Sequence, residues 1–160
     1  DKLIKAFKKI KNEFNDFSFV LIGRNYTQPT IDIKSMMQEM IKEGRALYIP
    51  WVEDEDLVPL YQAASYYVCS STVDGEALML KESMQSGTPV ITSPLLKDAI
   101  GGNGLIIDDP KSVQNTSKVL RIAMGKESIR KNLIKDGLKW TKDITWEHVA
   151  NNILTFLESR

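Results

Sequence analysis

This chain is poor in the side chains that carry redox or metal chemistry. Its 160 residues include one cysteine, Cys69, and one histidine, His148. A lone thiol excludes an internal disulfide framework and suits a reducing compartment, so a cytoplasmic location is expected. Cys69 closes an apolar run, which favours a packed thiol over a nucleophile. His148 stands beside Trp146 and Glu147 in a terminal helix and reads as a surface or packing residue. Without clustered ligands, neither a metal nor a cofactor is expected. An excess of charge is missing too, since 21 lysines and arginines face 21 aspartates and glutamates. No field recruits nucleic acid, and any anion must be held locally. No apolar run approaches a membrane span and no signal peptide opens the chain, which begins inside what reads as a helix, as a fragment would. A glycine-rich dinucleotide fingerprint is absent after the first apolar run, where Gly23-Arg24-Asn25-Tyr26 stands, and Arg24 reads as a surface arginine.

What is present is an ordinary globular composition, 42% hydrophobic and 26% charged, sufficient for a single domain spanning residues 1–160. Leu3, Ile4, Phe7 and Ile10 recur at helical spacing over residues 1–13, with Lys2, Lys5, Lys8, Lys9 and Lys11 as a solvated face. The run from Phe17 to Ile22 predicts a buried strand, and Ile33, Met36, Met37, Met40 and Ile41 predict a helix ended by Gly44. A strand at Ala46 to Ile49 precedes a short helix capped by Asp54 or Asp56, with Pro59 in its first turn. Strands at Tyr66 to Ser70, Pro89 to Thr92 and Leu105 to Ile107 follow. Asp109-Pro110 predicts a helix start, running to about Gly125, and two more helices occupy Ser128 to Trp140 and Trp146 to Leu157, the last capped by Thr145. Alternating strands and helices without hairpin signals predict an α/β fold, a Rossmann-like doubly wound parallel sheet covered on both faces, with extra C-terminal helices. These extra helices either pack on one side or reach toward a neighbouring domain.

The richest stretch is Asp74-Gly75-Glu76-Ala77-Leu78-Met79-Leu80-Lys81-Glu82, between two apolar strands. In open parallel sheets ligands bind beyond the carboxyl ends of strands, where this loop falls. It ends at a helix N-terminus, whose unpartnered N–H groups attract anions, and Gly75 and Ala77 allow close approach of a phosphate or sugar. Glu82, about a turn into the helix, can accept hydrogen bonds from two vicinal hydroxyls, as on a ribose. From spacing alone a plainer reading is favoured, with Asp74 a turn cap and Glu82 on a solvated face.

The wider sequence changes that balance. Trp51-Val52-Glu53-Asp54-Glu55-Asp56-Leu57-Val58-Pro59-Leu60-Tyr61-Gln62-Ala63-Ala64, Ser70-Ser71, Asp74 through Met84, Gly87-Thr88-Pro89-Val90-Ile91, Gly104 through Pro110 and Thr145-Trp146 occur in the order found in family 4 glycosyltransferases. Across nearly its whole length the chain resembles the carboxyl-terminal, nucleotide-sugar donor-binding half of a GT-B enzyme of that family. The resemblance implies that Glu82 binds the ribose and that Asp74 is the catalytic-site acid beside the donor sugar and diphosphate. It implies sugar and phosphate contacts from the amides around Gly75, Glu76, Ala77 and Leu78, and base contacts from Pro50, Trp51 and Val52. Asp98 stands where a glutamate is usual.

The resemblance further implies transfer with retention at the anomeric carbon, with a nucleotide-diphosphate sugar as substrate and no metal or other cofactor. The partner implied is an N-terminal acceptor domain, absent from this chain together with an arginine and a lysine that hold the diphosphate in family members. The fragment alone is expected to be inactive. In an intact enzyme the lysine-rich face is a candidate peripheral membrane contact. Three positions depart from the family pattern: Asp74 for glutamate, Glu76 for phenylalanine and Ala77 for glycine. Glu76 is accordingly a candidate for donor-sugar selection. Two alternatives stay open, a degenerate binding domain and a sugar-nucleotide epimerase of the same architecture.

Overall fold

The computed structural model describes residues 1–23, 32–73 and 77–159. Helix α1 (Lys2–Ile10) runs into a 3-10 turn, Lys11–Glu13, and buries Ile4, Phe7 and Ile10 along one face, as their spacing predicts. Strand β1 (Phe19–Ile22) starts later than the apolar run suggests. The Phe17 carbonyl is taken by the Arg45 guanidinium at 2.8 Å, which also holds the carbonyls of Lys11 and Phe14. Ladder pairing therefore begins with the Phe19 N–H, which donates to the Arg45 carbonyl. Helix α2 (Ile33–Lys42) is capped by Asp32 and ends at Gly44 as expected. There the Arg45 N–H reaches back to the Met40 carbonyl and the Gly44 N–H to that of Ile41, satisfying two groups the helix leaves over.

The order continues with β2 (Ala46–Ile49), α3 (Asp54–Ala63), β3 (Tyr67–Cys69), α4 (Leu78–Gln85), β4 (Val90–Thr92), β5 (Gly104–Ile106), α5 (Val113–Gly125), α6 (Glu127–Thr141) and α7 (Trp146–Glu158). All pairing among the described residues is parallel, so the α/β class read from the sequence is correct. Among the described residues the strands form two ladders rather than one, β1-β2 and β3-β4-β5. Both press onto a common core. Phe19 and Leu21 from the first ladder and Val68, Ile91 and Leu105 from the second belong with Phe7, Ile10, Leu120 and Ala123 of α1 and α5. The described residues cover the other face of the first ladder only in part, against the expectation of cover on both sides. Val20 and Leu47 are register partners, and both are about half exposed, at 49% and 52%.

Three local readings are corrected. Helix α3 is capped by the extended backbone of Glu53, so Asp54 and Asp56 fall inside its first turn, where negative charge favours the N-terminal end. Pro59 consequently sits in the helix interior. Asp109 does not cap α5. Its side chain accepts from the Lys111 N–H at 3.0 Å in a turn, and Ser112 caps the helix by accepting from the Asn115 N–H at 3.2 Å. The lysine-rich start is not simply solvated, because Lys8 pairs with Glu39 of α2, Lys11 pairs with Glu43 just after that helix, and Lys11 is buried.

Helix α6 lies across α4, where Gly137 meets Met84 and Trp140 covers Gly101. Helix α7, capped by Thr145 as predicted, buries none of its residues. No helix among the described residues is long and apolar enough to cross a membrane. A methyl at Gly101 would lie 2.2 Å from the Trp140 Nε1, on a backbone with φ of +55°. Gly101→Ala is therefore expected to destabilise the chain by roughly 2–4 kcal/mol, read as a lower urea midpoint.

Candidate functional site

The site is built on α4. Leu80, Ser83 and Met84 form its buried underside, resting on Val90, Leu96, Ile100 and Trp140. The opposite side carries Glu82, exposed to solvent. The helix begins beyond the carboxyl end of β3, at the edge where parallel strands present their ligand-binding loops. The stem of that loop is anchored from β4 and the residue after it. Thr92 Oγ1 donates to the Cys69 carbonyl at 2.9 Å and Ser93 Oγ to that of Ser71 at 2.5 Å. Cys69 itself is half-buried at the strand end rather than fully packed away. Asp74, Gly75 and Glu76 lie outside the described residues, as does Arg24.

At the head of α4, Ala77 adopts φ 51° and ψ 42°, the left-handed region, and is 3% exposed. The resemblance noted above put a glycine here, and glycine enters this region without a steric penalty. Leu78 and Met79 follow in the first turn, where backbone N–H groups have no intrahelical partner and can receive an anion. At its other end α4 closes through the Thr88 N–H on the Ser83 carbonyl and the Gly87 N–H on that of Met84. This turn sends the Thr88 hydroxyl onto the Tyr61 carbonyl. Gln85 donates its side-chain amide to the Ile144 carbonyl at 2.7 Å, fastening α4 to the corner before α7.

Glu82 is connected to α3 by Tyr61, whose hydroxyl donates to its Oε2 at 3.3 Å. The Tyr61 ring is buried and meets Tyr67 edge-on, with centroids 5.5 Å apart. Burial, followed by the charge of Glu82 and its hydrogen bond, pushes the Tyr61 hydroxyl up to about 12. The sequence reading gave Tyr61 no contact with Glu82. The missed signal is chemical, because a buried tyrosine must find a partner for its polar tip.

Pro50, Trp51 and Val52 occupy the loop after β2, again at a strand's carboxyl end. Trp51 is 55% exposed, and its Nε1 donates to Glu53 Oε1 at 3.1 Å within the same loop. These residues lead into α3, whereas Tyr61 stands about two turns further on, roughly 10 Å along the axis. His148 is exposed and enters the cap of α7 only through its backbone N–H.

Comparison with known proteins supplies a family. The family Glycosyl transferases group 1 matches residues 1–140. The O-antigen chain mannosyltransferase B of Escherichia coli is 32% identical over 121 residues, covering 74% of this chain and 32% of the relative. Across the curated relatives it matches, the chain spans between 32% and 44% of their length. Among solved structures, the C-terminal domain of a group 1 glycosyl transferase family protein, LpcC, from Francisella tularensis superposes with a TM-score of 0.70 at 24% identity, covering 86% of this chain and 74% of that one. The pneumococcal O-GlcNAc transferase GtfA, in complex with UDP and GlcNAc, superposes with a TM-score of 0.78 at 18% identity, covering 99% of this chain and 32% of that one. These neighbours share the GT-B type of fold.

Two outcomes are expected from this geometry. Releasing Ala77 from its left-handed strain, Ala77→Gly should raise stability by about 0.5–1 kcal/mol in urea denaturation, net of the greater freedom of glycine when unfolded. A lower midpoint would contradict the strain. Tyr61 keeps its proton longer folded than unfolded, so its contribution is complete below pH 10 and lost as pH rises toward about 12. Over that interval the stability of the wild-type chain should fall more steeply than that of Tyr61→Phe.

Proposed function

The chain belongs to the group 1 glycosyl transferases, and on that premise we propose that it forms the donor-binding, C-terminal part of a retaining enzyme of GT-B type. The observation that carries this reading is Glu82. It is an exposed carboxylate at a fixed height on α4, about one turn below helix amides suited to a phosphate. Two vicinal hydroxyls of a ribose can donate to such a carboxylate, and hydrogen bonds to a charged group are worth about 1.5–3 kcal/mol each. The UDP complex of GtfA and the domain name of the LpcC structure support the same assignment. Pro50, Trp51 and Val52 are proposed to meet the base, with the amides of Ala77 and Leu78 facing the diphosphate. Asp74, Gly75 and Glu76, next in sequence to Ala77, are proposed to complete the site, with Asp74 beside the donor sugar and Glu76 selecting among sugars.

In the intact enzyme, the bond between the anomeric carbon and the diphosphate breaks and the diphosphate leaves with its electron pair. The acceptor oxygen bonds to that carbon on the same face and passes its proton to a donor phosphate oxygen. The work of this half is to position the donor and stabilise the departing diphosphate. An N-terminal domain would supply the acceptor, so turnover is assigned to the longer protein and only binding to this part. With few of the diphosphate contacts in place, an affinity of about 0.1–1 mM is expected here. Ligand-detected NMR against UDP-, GDP- and ADP-sugars checks this. One base should give a signal that Glu82→Ala weakens about tenfold or more, whereas a signal indifferent to Glu82 would refute the ribose assignment.

A further inference from the structure

Glu82 is a long side chain on a solvent-facing helix surface, yet it does not stand alone. We infer that Tyr61 is the positioning residue that sets the Glu82 carboxylate for a ribose, holding one lone pair of Oε2 so that the remaining acceptor positions serve the ligand. The inference rests on the ribose reading above and adds to it the group that makes Glu82 specific.

Three features of Tyr61 suit it to this task. Its hydroxyl donates to Glu82 Oε2 at 3.3 Å from a residue that is only 8% exposed, so a buried group holds an exposed one. The ring is held by its edge-on contact with Tyr67, and the backbone is held by the Thr88 hydroxyl on the Tyr61 carbonyl. The phenol is a donor throughout the physiological range, and burial with the neighbouring carboxylate raises its proton affinity further.

The chemistry follows from counting acceptor sites. An ionised carboxylate offers roughly four lone-pair positions, and the Tyr61 proton occupies one of them. Oε1 and the outer lone pair of Oε2 are left for two vicinal hydroxyls. Without Tyr61 the glutamate would sample several rotamers and lose that freedom only on binding, which lowers affinity. The phenol therefore acts on the ligand through Glu82, and its effect should appear only with ligands that carry the ribose hydroxyls.

That dependence separates positioning from general structural support. Dissociation constants of UDP, GDP and ADP are measured for this chain beside those of the corresponding 2′,3′-dideoxy diphosphates. Tyr61→Phe keeps the ring and its contact with Tyr67, and its thermal transition is recorded alongside. Tyr61→Phe is expected to weaken the preferred ribonucleotide about 3–10-fold while leaving its dideoxy counterpart unchanged. Placed on Glu82→Ala, it should produce no further loss, since the group it acts through is gone. Equal weakening of both nucleotides, or of neither, overturns the inference while leaving the ribose reading intact. An undiminished loss in the Glu82→Ala background overturns it as well. If the wild-type chain shows no preference for the ribonucleotide, or Glu82→Ala retains one, the ribose reading falls and this inference falls with it.

Discussion

Everything proposed for this domain depends on α4 being immobile. Its underside places Leu80 and Ser83 wholly out of solvent and Met84 nearly so. Those side chains fit among Val90 of the sheet, Ile100 and Trp140. Protein interiors are packed as densely as organic crystals, so the helix has little room to roll or slide on that bed. Polar fastenings complete the restraint, with Gln85 on the Ile144 carbonyl and Tyr61 on Glu82. A binding carboxylate on the outer face of such a helix inherits the precision of the core beneath it.

A second hydrophobic cluster, distinct from the bed of α4, joins the two ladders. Phe7 of α1 lies against Phe19 of β1, with ring centroids 5.4 Å apart, while Ser117 of α5 donates its hydroxyl to the Ala6 carbonyl at 3.3 Å. Small residues at that contact let the helices approach closely, and Tyr66, just ahead of β3, donates to the Ala123 carbonyl of α5 at 2.8 Å. The strands are thus coordinated by the helices beneath them as well as by their own hydrogen bonds. On the other side of β1-β2, Val20 and Leu47 remain about half exposed.

Much of this was legible in the sequence, for reasons particular residues make plain. Apolar spacing in α1, the Gly44 terminus of α2 and the Thr145 cap of α7 are local signals, decided within a few residues, and each was read correctly. The Asp109-Pro110 start failed because a second capping residue, Ser112, lay three positions on, and only the backbone decides which of two competent side chains serves. The division into two ladders and the half-exposed Val20 and Leu47 of β1-β2 are tertiary facts with no local signature. The site divides in the same way. Spacing alone favoured a solvated face for Glu82, and only the family resemblance marked it out, whereas its partner Tyr61 is 21 residues away in sequence and no local pattern links the two.

Ala77 has a consequence for how this loop can vary over generations. The backbone there is left-handed, which excludes branched and bulky residues, and the methyl group is enclosed, which leaves little space for anything larger. Few residues satisfy both demands, and alanine and glycine satisfy them best. Every alanine codon becomes a glycine codon by a single base change, so drift at this position has an open door toward the residue that relieves the strain and narrow ones elsewhere.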